Sequence, residues 1–410
     1  MKKHSVSIPT TLMLMLLAVV CTFNITYFTA TEYYNGLLDD LDAQESRYGK
    51  LKTVTDIVEK YFVADYDEEE ALEMAVAGYV AGLGDQWSAY YTAEQTAAIE
   101  EDEANQYVGI GITYQVTEDG RYEVVSVMAG GPADQAGMLP GDEMVAVDGL
   151  ILAEHPEMED LAVLVKGEVG TSVSITVLRD GAERSFTITR DLVLVKNVTS
   201  QMLEGSIGYI TIAEFGSNVD KDFLAQLAEL ADQGAKGFVL DVRNNPGGYV
   251  NVMVNMLDAL LPEGPVITMV DKAGEEIPLS SDAEMLGLPL TVITNENSIS
   301  AAEFFAAALQ EYGVATVVGT KTSGKGYSQQ SFDLSDGSSV HLSTTRYYTP
   351  KGNSLAETGV TPDQTVELPV EDLYSLLSGK LEVADDEQLQ AAIQAVSNLI
   401  AAQAQEAPAE

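Results

Sequence analysis

Three short segments in the second half of the chain combine groups that could carry out chemistry. The first, Asp241-Val-Arg-Asn-Asn-Pro-Gly-Gly248, follows an apolar run, and its two glycines allow backbone N–H groups to point into a cleft. Converging N–H groups are the usual construction of an oxyanion hole, which stabilises the anion formed when a carbonyl is attacked. Gly247 and Gly248 are therefore candidate oxyanion donors, although an ordinary glycine-rich turn would have the same composition.

The second segment supplies a candidate nucleophile. Ser300 comes after the apolar run Leu290–Thr294 and directly before an amphipathic stretch, Ala301–Glu311. A helix N-terminus carries partial positive charge, which favours a serine alkoxide and the oxyanion that its attack creates. A serine at this position also caps helices without any catalytic role, so both interpretations stay open at this point.

The third segment, Thr322-Ser-Gly-Lys-Gly-Tyr-Ser-Gln329, supplies a candidate base. Lys325 stands between two glycines, which leaves little side-chain bulk around its ammonium group. A lysine accepts a proton near neutral pH only if burial lowers its pKa from about 10.4. A loop packed on the core could provide that burial, whereas a lysine on a surface loop would have no such role.

The chain contains few residues that could support histidine or metal chemistry. It contains three histidines and one cysteine, which leaves few ligands for a zinc site. His155 lies in a β-rich segment and His341 in a polar one, and no G-x-S-x-G motif surrounds a candidate serine. A Ser-Lys dyad is therefore preferred to a Ser-His-Asp triad, and we expect neither a metal nor a cofactor.

A nucleotide-binding motif is nearly present but incomplete. Gly319-Thr-Lys-Thr-Ser-Gly-Lys-Gly326 approaches G-x-x-x-x-G-K-[ST], but a glycine replaces the hydroxyl that would hold magnesium. The chain has 64 acidic and 21 basic residues, a formal charge of -43 that would repel polyphosphates, nucleic acid and anionic lipid. We therefore expect neither an NTPase nor nucleic-acid binding.

The surrounding pattern predicts five regions, because 410 residues are too many for one compact core. Between residues 192 and 370, apolar runs alternate with helical patterns, which indicates an α/β core with parallel strands. Alternating strand patterns fill the preceding region. The predicted regions are an export segment (1–31), a helical region (32–106), a β-rich domain (107–191), the α/β core (192–370) and a C-terminal helical region with a tail (371–410).

The N-terminal pattern is typical of an export signal. Lys2 and Lys3 precede an uncharged stretch, Ser5–Thr31, whose centre is strongly apolar and about as long as a membrane-spanning helix. No small-x-small cleavage site follows, so an uncleaved signal anchor is preferred to a cleaved signal peptide. We expect an extracytoplasmic protein that meets the cell membrane through this helix only, or one secreted after cleavage.

The β-rich domain carries a specific signature. Tyr107-Val-Gly-Ile-Gly-Ile112, Ala129–Asp142 and Val147-Asp-Gly149 together resemble the PDZ domains of bacterial proteases. Glycines in the first string allow backbone amides to converge on the terminal carboxylate of a peptide, and the next strand can pair with that peptide. The candidate peptide-binding residues are Val108, Gly109, Ile110 and Gly111.

With this domain, the three reactive segments resemble the C-terminal processing peptidases, also called tail-specific proteases, over about residues 50–370. Leu83-Gly-Asp-Gln-Trp-Ser-Ala-Tyr-Tyr91 is similar to that family's approach to its PDZ domain. The resemblance implies a ClpP/crotonase-like α/β catalytic core with an inserted PDZ domain and helical N- and C-terminal regions.

The resemblance also implies roles for individual residues. Ser300 and Lys325, 25 residues apart, match the family's Ser-Lys dyad, and Gln329 matches the residue that orients the lysine. The oxyanion hole would combine the backbone N–H of Ala301 with one from the Gly247–Gly248 turn. We expect a serine endopeptidase that captures the C-termini of protein or peptide substrates in its PDZ domain and hydrolyses them through an acyl-enzyme.

Two departures from the family's pattern stand out. Ile299 and Ala302 replace small residues beside the nucleophile, and Gln86-Trp87 replaces a common Pro-His, which we interpret as a packing change without consequence for catalysis. A homodimer through the terminal helices is also expected. The alternatives are a non-catalytic PDZ scaffold, a latent peptidase that needs a partner, and a crotonase-type acyl-CoA enzyme built on the same core.

Overall fold

The computed structural model describes residues 8–103, 106–117, 119–155, 161–369, 372, 375–376 and 381–406. Two compact units divide the chain after Met74. Helix α1 (Ile8–Tyr61) belongs to the first unit, and helix α2 (Glu68–Ala81) crosses the division. No helix in the described ranges is both long enough and apolar enough to cross a membrane. The signal anchor predicted for residues 1–31 is therefore not confirmed.

The β-rich domain is built from short strands around one apolar core. Its sheet has the order β3-β4-β5-β7-β8, with β6 beside β5, and a separate pair joins β2 to β9. Strand β7 alternates buried and partly exposed residues, so Val173, Ile175 and Val177 lie in the core. The elements are α3 (Ala93–Glu103), β2 (Gln106–Gly109), β3 (Ile112–Val116), β4 (Tyr122–Val127), α4 (Pro132–Ala136), β5 (Glu143–Val147), β6 (Leu150–Ile151), α5 (Ala162–Val165), β7 (Ser172–Arg179), β8 (Ala182–Thr189) and β9 (Asp191–Leu194).

The α/β core is a six-stranded sheet with helices on both faces. Its order is β10-β11-β12-β15-β16-β19, where β10 is antiparallel to β11 and the other pairs are parallel. Helices α6, α7 and α8 pack on one face and α9 on the other. The elements are β10 (Val198–Leu203), β11 (Ile207–Ile212), α6 (Val219–Asp232), β12 (Gly237–Asp241), α7 (Val250–Asp258), β15 (Leu290–Thr294), α8 (Ala301–Tyr312), β16 (Ala315–Gly319), β19 (Gln364–Thr365) and α9 (Glu387–Glu406).

A second sheet connects distant parts of the chain. Its order is β1-β18-β13-β14, and β17 pairs with β18. The short strand β1 is aligned on β18 so that Ala89 faces His341. The elements are β1 (Ala89–Tyr91), β13 (Gly264–Asp271), β14 (Glu276–Ser281), β17 (Tyr327–Asp333) and β18 (Ser339–Tyr348).

These two sheets determine where the reactive segments lie. Strands β12 and β15 are parallel neighbours, so the segments that follow them leave the same edge of the sheet, where open α/β sheets bind ligands. Both strands are buried along their whole length, which explains why most of their residues are apolar. The loop before β1 reaches the start of β17 because both strands pair with β18.

Candidate active site

Ser300 has an unusual backbone at the N-terminus of α8. Its φ of 57° and ψ of -117° lie outside the regions that non-glycine residues favour, so the surrounding contacts must hold it there. Its backbone N–H donates to Glu303 Oε2 at 2.8 Å, and the side chains of Ala301 and Ala302 are buried directly after it. The serine therefore occupies a fixed position at the start of the helix, as the sequence predicts.

Glu303 connects the nucleophile segment to the lysine segment. Its Oε2 accepts hydrogen bonds from the N–H groups of Ser300 (2.8 Å) and Lys325 (2.9 Å). Its Oε1 accepts from the hydroxyl of Thr322 (2.7 Å) and the N–H of Gly324 (2.6 Å). One carboxylate thus joins two segments that are more than 20 residues apart in the chain.

The Glu303 side chain is fully buried. Burial raises the pKa of its carboxyl, and its four donors act against that rise because they favour the ionised oxygens. Sequence reasoning missed this residue. The available signal was the Ser-x-x-Glu spacing from Ser300 to Glu303, which is the pattern of a helix capping box.

Lys325 lies half-buried with its ammonium group over an aromatic ring. The Nζ atom is 4.6 Å from the centroid of the Trp87 ring. Burial lowers the pKa of Lys325, as a catalytic base requires, while the negative charges of Glu303 and Asp85 act in the opposite direction. Within the described residues, Nζ forms no hydrogen bond to Ser300 or to Gln329.

Gln329 makes contacts other than the one implied by the family resemblance. Its Nε2 donates to the carbonyl of Tyr327 at 3.3 Å and to Ser343 Oγ at 3.0 Å. The N–H of Ser343 in turn donates to Ser88 Oγ at 3.1 Å, and the Ser88 hydroxyl donates to the carboxylate of Asp85. In this structure, Gln329 is therefore joined to the loop before β1 instead of to Lys325.

The Gly247–Gly248 turn approaches the nucleophile closely. A Cβ on Gly247 would lie 2.9 Å from the Cβ of Ser300 and 3.3 Å from the nitrogen of Ala301, and both glycines have positive φ. The N–H of Gly247 already donates to Asn245 Oδ1 at 2.8 Å. Among the described groups, the N–H groups of Gly248 and Ala301 have no such partner, which distinguishes these two from Gly247 as candidate donors.

Buried amides hold this turn against the neighbouring strand ends. Asn245 Nδ2 donates to the carbonyl of Ile212 at 2.8 Å, and the Asn245 carbonyl accepts from the N–H of Ile299 at 2.9 Å. Asn244 and Asn295 exchange a pair of hydrogen bonds at 2.9 Å each. The bond from Ile299 to Asn245 and the Asn244–Asn295 pair therefore connect the turn after β12 to the turn after β15.

An ion network lies behind the turn. The side chain of Arg243 is 2% exposed and contacts Asp241 at 2.6 Å and Asp386 at 2.8 Å, the latter in the segment that precedes α9. Burial acts to lower the pKa of Arg243, but the two carboxylates outweigh it and the pKa is raised. Tyr209 donates to Asp241 Oδ2 at 2.7 Å, and burial together with that charge raises the pKa of Tyr209.

The predicted peptide-binding loop contains a glycine with a left-handed backbone. Gly111 has a φ of 75°, Ile110 is fully buried, and Val108 pairs with Leu192 in the small two-stranded sheet. The Tyr107 ring folds over Gly109, where a Cβ would lie 2.7 Å from Cε2.

The adjacent edge of this domain can accept another strand. Strand β3 follows the loop directly and is the terminal strand of its sheet, with β4 as its neighbour on one side only. An extended peptide can add to such an edge while its terminal carboxylate meets the backbone amides of the loop.

Comparison with known proteins agrees with this geometry. The model of peptidase family S41 matches residues 206–366, and the model of the PDZ domain matches residues 108–189. A carboxyl-terminal-processing protease of Synechocystis is 32% identical over 320 residues, which cover 76% of this chain and 75% of that protein. The chain belongs to peptidase family S41. It is therefore a serine peptidase, as predicted.

Two further relatives support the assignment. A CtpA-like serine protease of Staphylococcus saprophyticus is 31% identical over 93% of this peptidase and 77% of its own length. The crystal structure of a chain assigned as an S41 protease of Bacteroides fragilis has a TM-score of 0.56 at 18% identity, and it covers 83% of this chain and 93% of that one, which bears on the fold alone. The predicted fold class, an α/β peptidase core with a PDZ domain, is confirmed.

Removal of the Arg243 guanidinium is expected to destabilise the peptidase. In Arg243→Ala, Asp241 and Asp386 would remain buried without their cation, and we expect the free energy of unfolding to fall by about 3–5 kcal/mol. Urea unfolding followed by circular dichroism measures this loss. Arg346→Ala is the matched control, because Arg346 is exposed and its removal should change stability by no more than about 0.5 kcal/mol. Equal losses in the two variants would contradict the prediction.

Proposed function

We propose that the peptidase cleaves peptide bonds with Ser300 as nucleophile and Lys325 as general base. The observation that carries the proposal is the Glu303 carboxylate, which binds the backbone N–H groups of both residues and so fixes their segments against each other. Burial of the Lys325 side chain lowers its pKa, which is the direction that a general base requires. Gln329 is proposed to orient the lysine once substrate is bound.

The reaction follows from these assignments. Neutral Lys325 takes the hydroxyl proton of Ser300 while Oγ bonds to the substrate carbonyl carbon, which becomes a tetrahedral anion. When the C–N bond breaks, the Lys325 ammonium returns the proton to the leaving amine. Water then attacks the acyl carbon and gives a proton to Lys325. When the bond from the acyl carbon to Oγ breaks, the Lys325 ammonium returns that proton to Ser300 Oγ, which releases the acid and restores the serine hydroxyl and the neutral amine.

We assign the oxyanion hole to the N–H groups of Gly248 and Ala301. Gly247 has a supporting role, because its N–H is already satisfied by Asn245 and its missing side chain leaves room for Ser300. The partial positive charge at the N-terminus of α8 adds to the stabilisation of the anion.

The PDZ domain is proposed to capture the C-terminus of the substrate. The loop at Gly111 is proposed to supply backbone amides for a carboxylate, and β3 supplies a free edge for the chain that precedes it.

Single substitutions in the dyad test the chemistry. Ser300→Ala and Lys325→Met are each expected to reduce cleavage of an unstructured protein by at least about a thousandfold, since each residue acts in the same proton transfer. Lys321→Met is the matched control, because Lys321 is an exposed lysine four residues away. Cleavage by Lys325→Met at the parent rate would rule out the proposed base.

If the parent is itself inactive, removal of the PDZ domain tests for a latent form. The contacts of Gln329 with Tyr327 and Ser343 favour such a form.

Recognition of the C-terminus has a separate test. Gly111→Ala is expected to abolish the preference for a peptide with a free C-terminal carboxylate over the same peptide with a C-terminal amide, because a Cβ is strained at a φ of 75° and lies 3.3 Å from Met128. Gly120→Ala is the control, since Gly120 has a φ of 77° in open space. Binding is measured by fluorescence anisotropy of the labelled peptides. Equal affinity of the parent for both peptides would contradict capture through the carboxylate.

We further propose an extracytoplasmic location, supported by Lys2 and Lys3 ahead of the uncharged stretch Ser5–Thr31. Protease added to intact cells from which the wall has been removed should digest the peptidase but not a cytoplasmic marker. Survival of both would contradict the proposal.

The homodimer also stays a prediction. It is supported by Leu51, Val54, Ile57 and Tyr61, which share one face of α1 and are exposed.

A further inference from the structure

We propose that Trp87 is a positioning residue that holds the protonated side chain of Lys325 on its indole face in the resting enzyme. The inference rests on the proposed role of Lys325 as base. It also changes the interpretation of Gln86-Trp87 made from the sequence, because the structure brings Trp87 to the lysine and not to a site of packing alone.

The geometry of the contact is that of a cation–π pair. Lys325 Nζ is 4.6 Å from the ring centroid, within the roughly 6 Å over which an ammonium is attracted by an aromatic face, and tryptophan is the strongest such partner. Both side chains are half-buried, so water screens the attraction less than at the surface. The attraction acts on the charged lysine and not on the neutral amine.

The loop that carries Trp87 is fixed in place by hydrogen bonds. Asp85 accepts from the N–H of Trp87 at 3.3 Å and from the hydroxyl of Ser88, whose oxygen accepts from the N–H of Ser343 at 3.1 Å. The following strand, β1, pairs with β18. These contacts therefore hold in place the segment that carries the indole.

The charged groups that face Lys325 favour the same resting state. Glu303 on α8 and Asp85 on the loop before β1 both raise the pKa of Lys325, and burial lowers it. The Gln329 side chain donates to Ser343, whose N–H donates to Ser88 in the loop before β1, so Gln329 is connected to the same loop. Catalysis requires the lysine to lose its proton and, with it, the attraction to Trp87.

The direction of the expected shift in the pH dependence of activity follows from this contact. Since the indole stabilises only the ammonium form, its removal lowers the pKa of Lys325, and the neutral base appears at lower pH. In Trp87→Leu, the acidic limb of the profile of kcat/KM against pH should therefore move down by about 0.5–1 pH unit. Trp87→Phe should restore part of the shift, because phenylalanine keeps a weaker aromatic face.

The full chain offers a direct optical test, because Trp87 is its only tryptophan. Its fluorescence, excited where tyrosine does not absorb, should change as pH rises through the deprotonation of Lys325, and this step should be absent in Lys325→Met. Lys321→Met, the matched control, should keep it. The profiles of kcat/KM are then measured for the parent, Trp87→Leu, Trp87→Phe and Gln86→Ala, where Gln86 is the exposed neighbour.

The outcomes separate this inference from the proposed function. A fluorescence step that depends on Lys325, together with a lower acidic limb in Trp87→Leu but not in Gln86→Ala, supports the inference. If Lys325→Met is inactive but the parent shows no such step and the limb does not move, the Trp87 assignment is wrong and the Ser-Lys dyad stands. If Lys325→Met cleaves at the parent rate, the base is misassigned and the inference is overturned with it.

Discussion

The buried carboxylate of Glu303 is the contact on which the candidate active site depends. An ionised group with no exposed surface is tolerated only when its oxygens are satisfied, and here each oxygen accepts two hydrogen bonds. Three of the four donors are backbone N–H groups, so Glu303 positions the main chain at Ser300 and Lys325 and leaves both side chains free to react. The strained backbone of Ser300 can persist because this carboxylate, on the first turn of α8, holds its N–H.

The sequence predicts the central elements of the core well. Strands β15 and β16 begin and end where their largely apolar runs do, because strands covered on both faces are rich in apolar residues. Helices α7 and α8 follow the helical spacing of their apolar residues. The second sheet is harder to predict, since the three residues of β1 have no periodicity and pair with a strand about 250 residues away. That pairing, together with the hydrogen bond from Ser343 to Ser88, brings Trp87 to Lys325.

The same distinction applies to the site. Ser300, Lys325 and the glycine turn are recognisable from residue type and spacing, because chemistry restricts which residues can stand there. The sequence does not show which N–H group of the turn can bind an oxyanion. That depends on the side chain of Asn245, which accepts a hydrogen bond from the N–H of Gly247. Asp386 is equally invisible to local reasoning, because its contact with Arg243 spans more than 140 residues and no motif surrounds it.

The electrostatics of the lysine explain why burial matters so much in this chain. A protein with a formal charge of -43 stabilises cations throughout its surface, and an exposed lysine would stay protonated. Glu303 and Asp85 add to that tendency, and so does the indole of Trp87. Desolvation is the one effect at Lys325 that favours the neutral amine. A substrate chain that covers the lysine and excludes water would add to this desolvation and lower the pKa of Lys325 further. Binding of substrate would then favour formation of the active base.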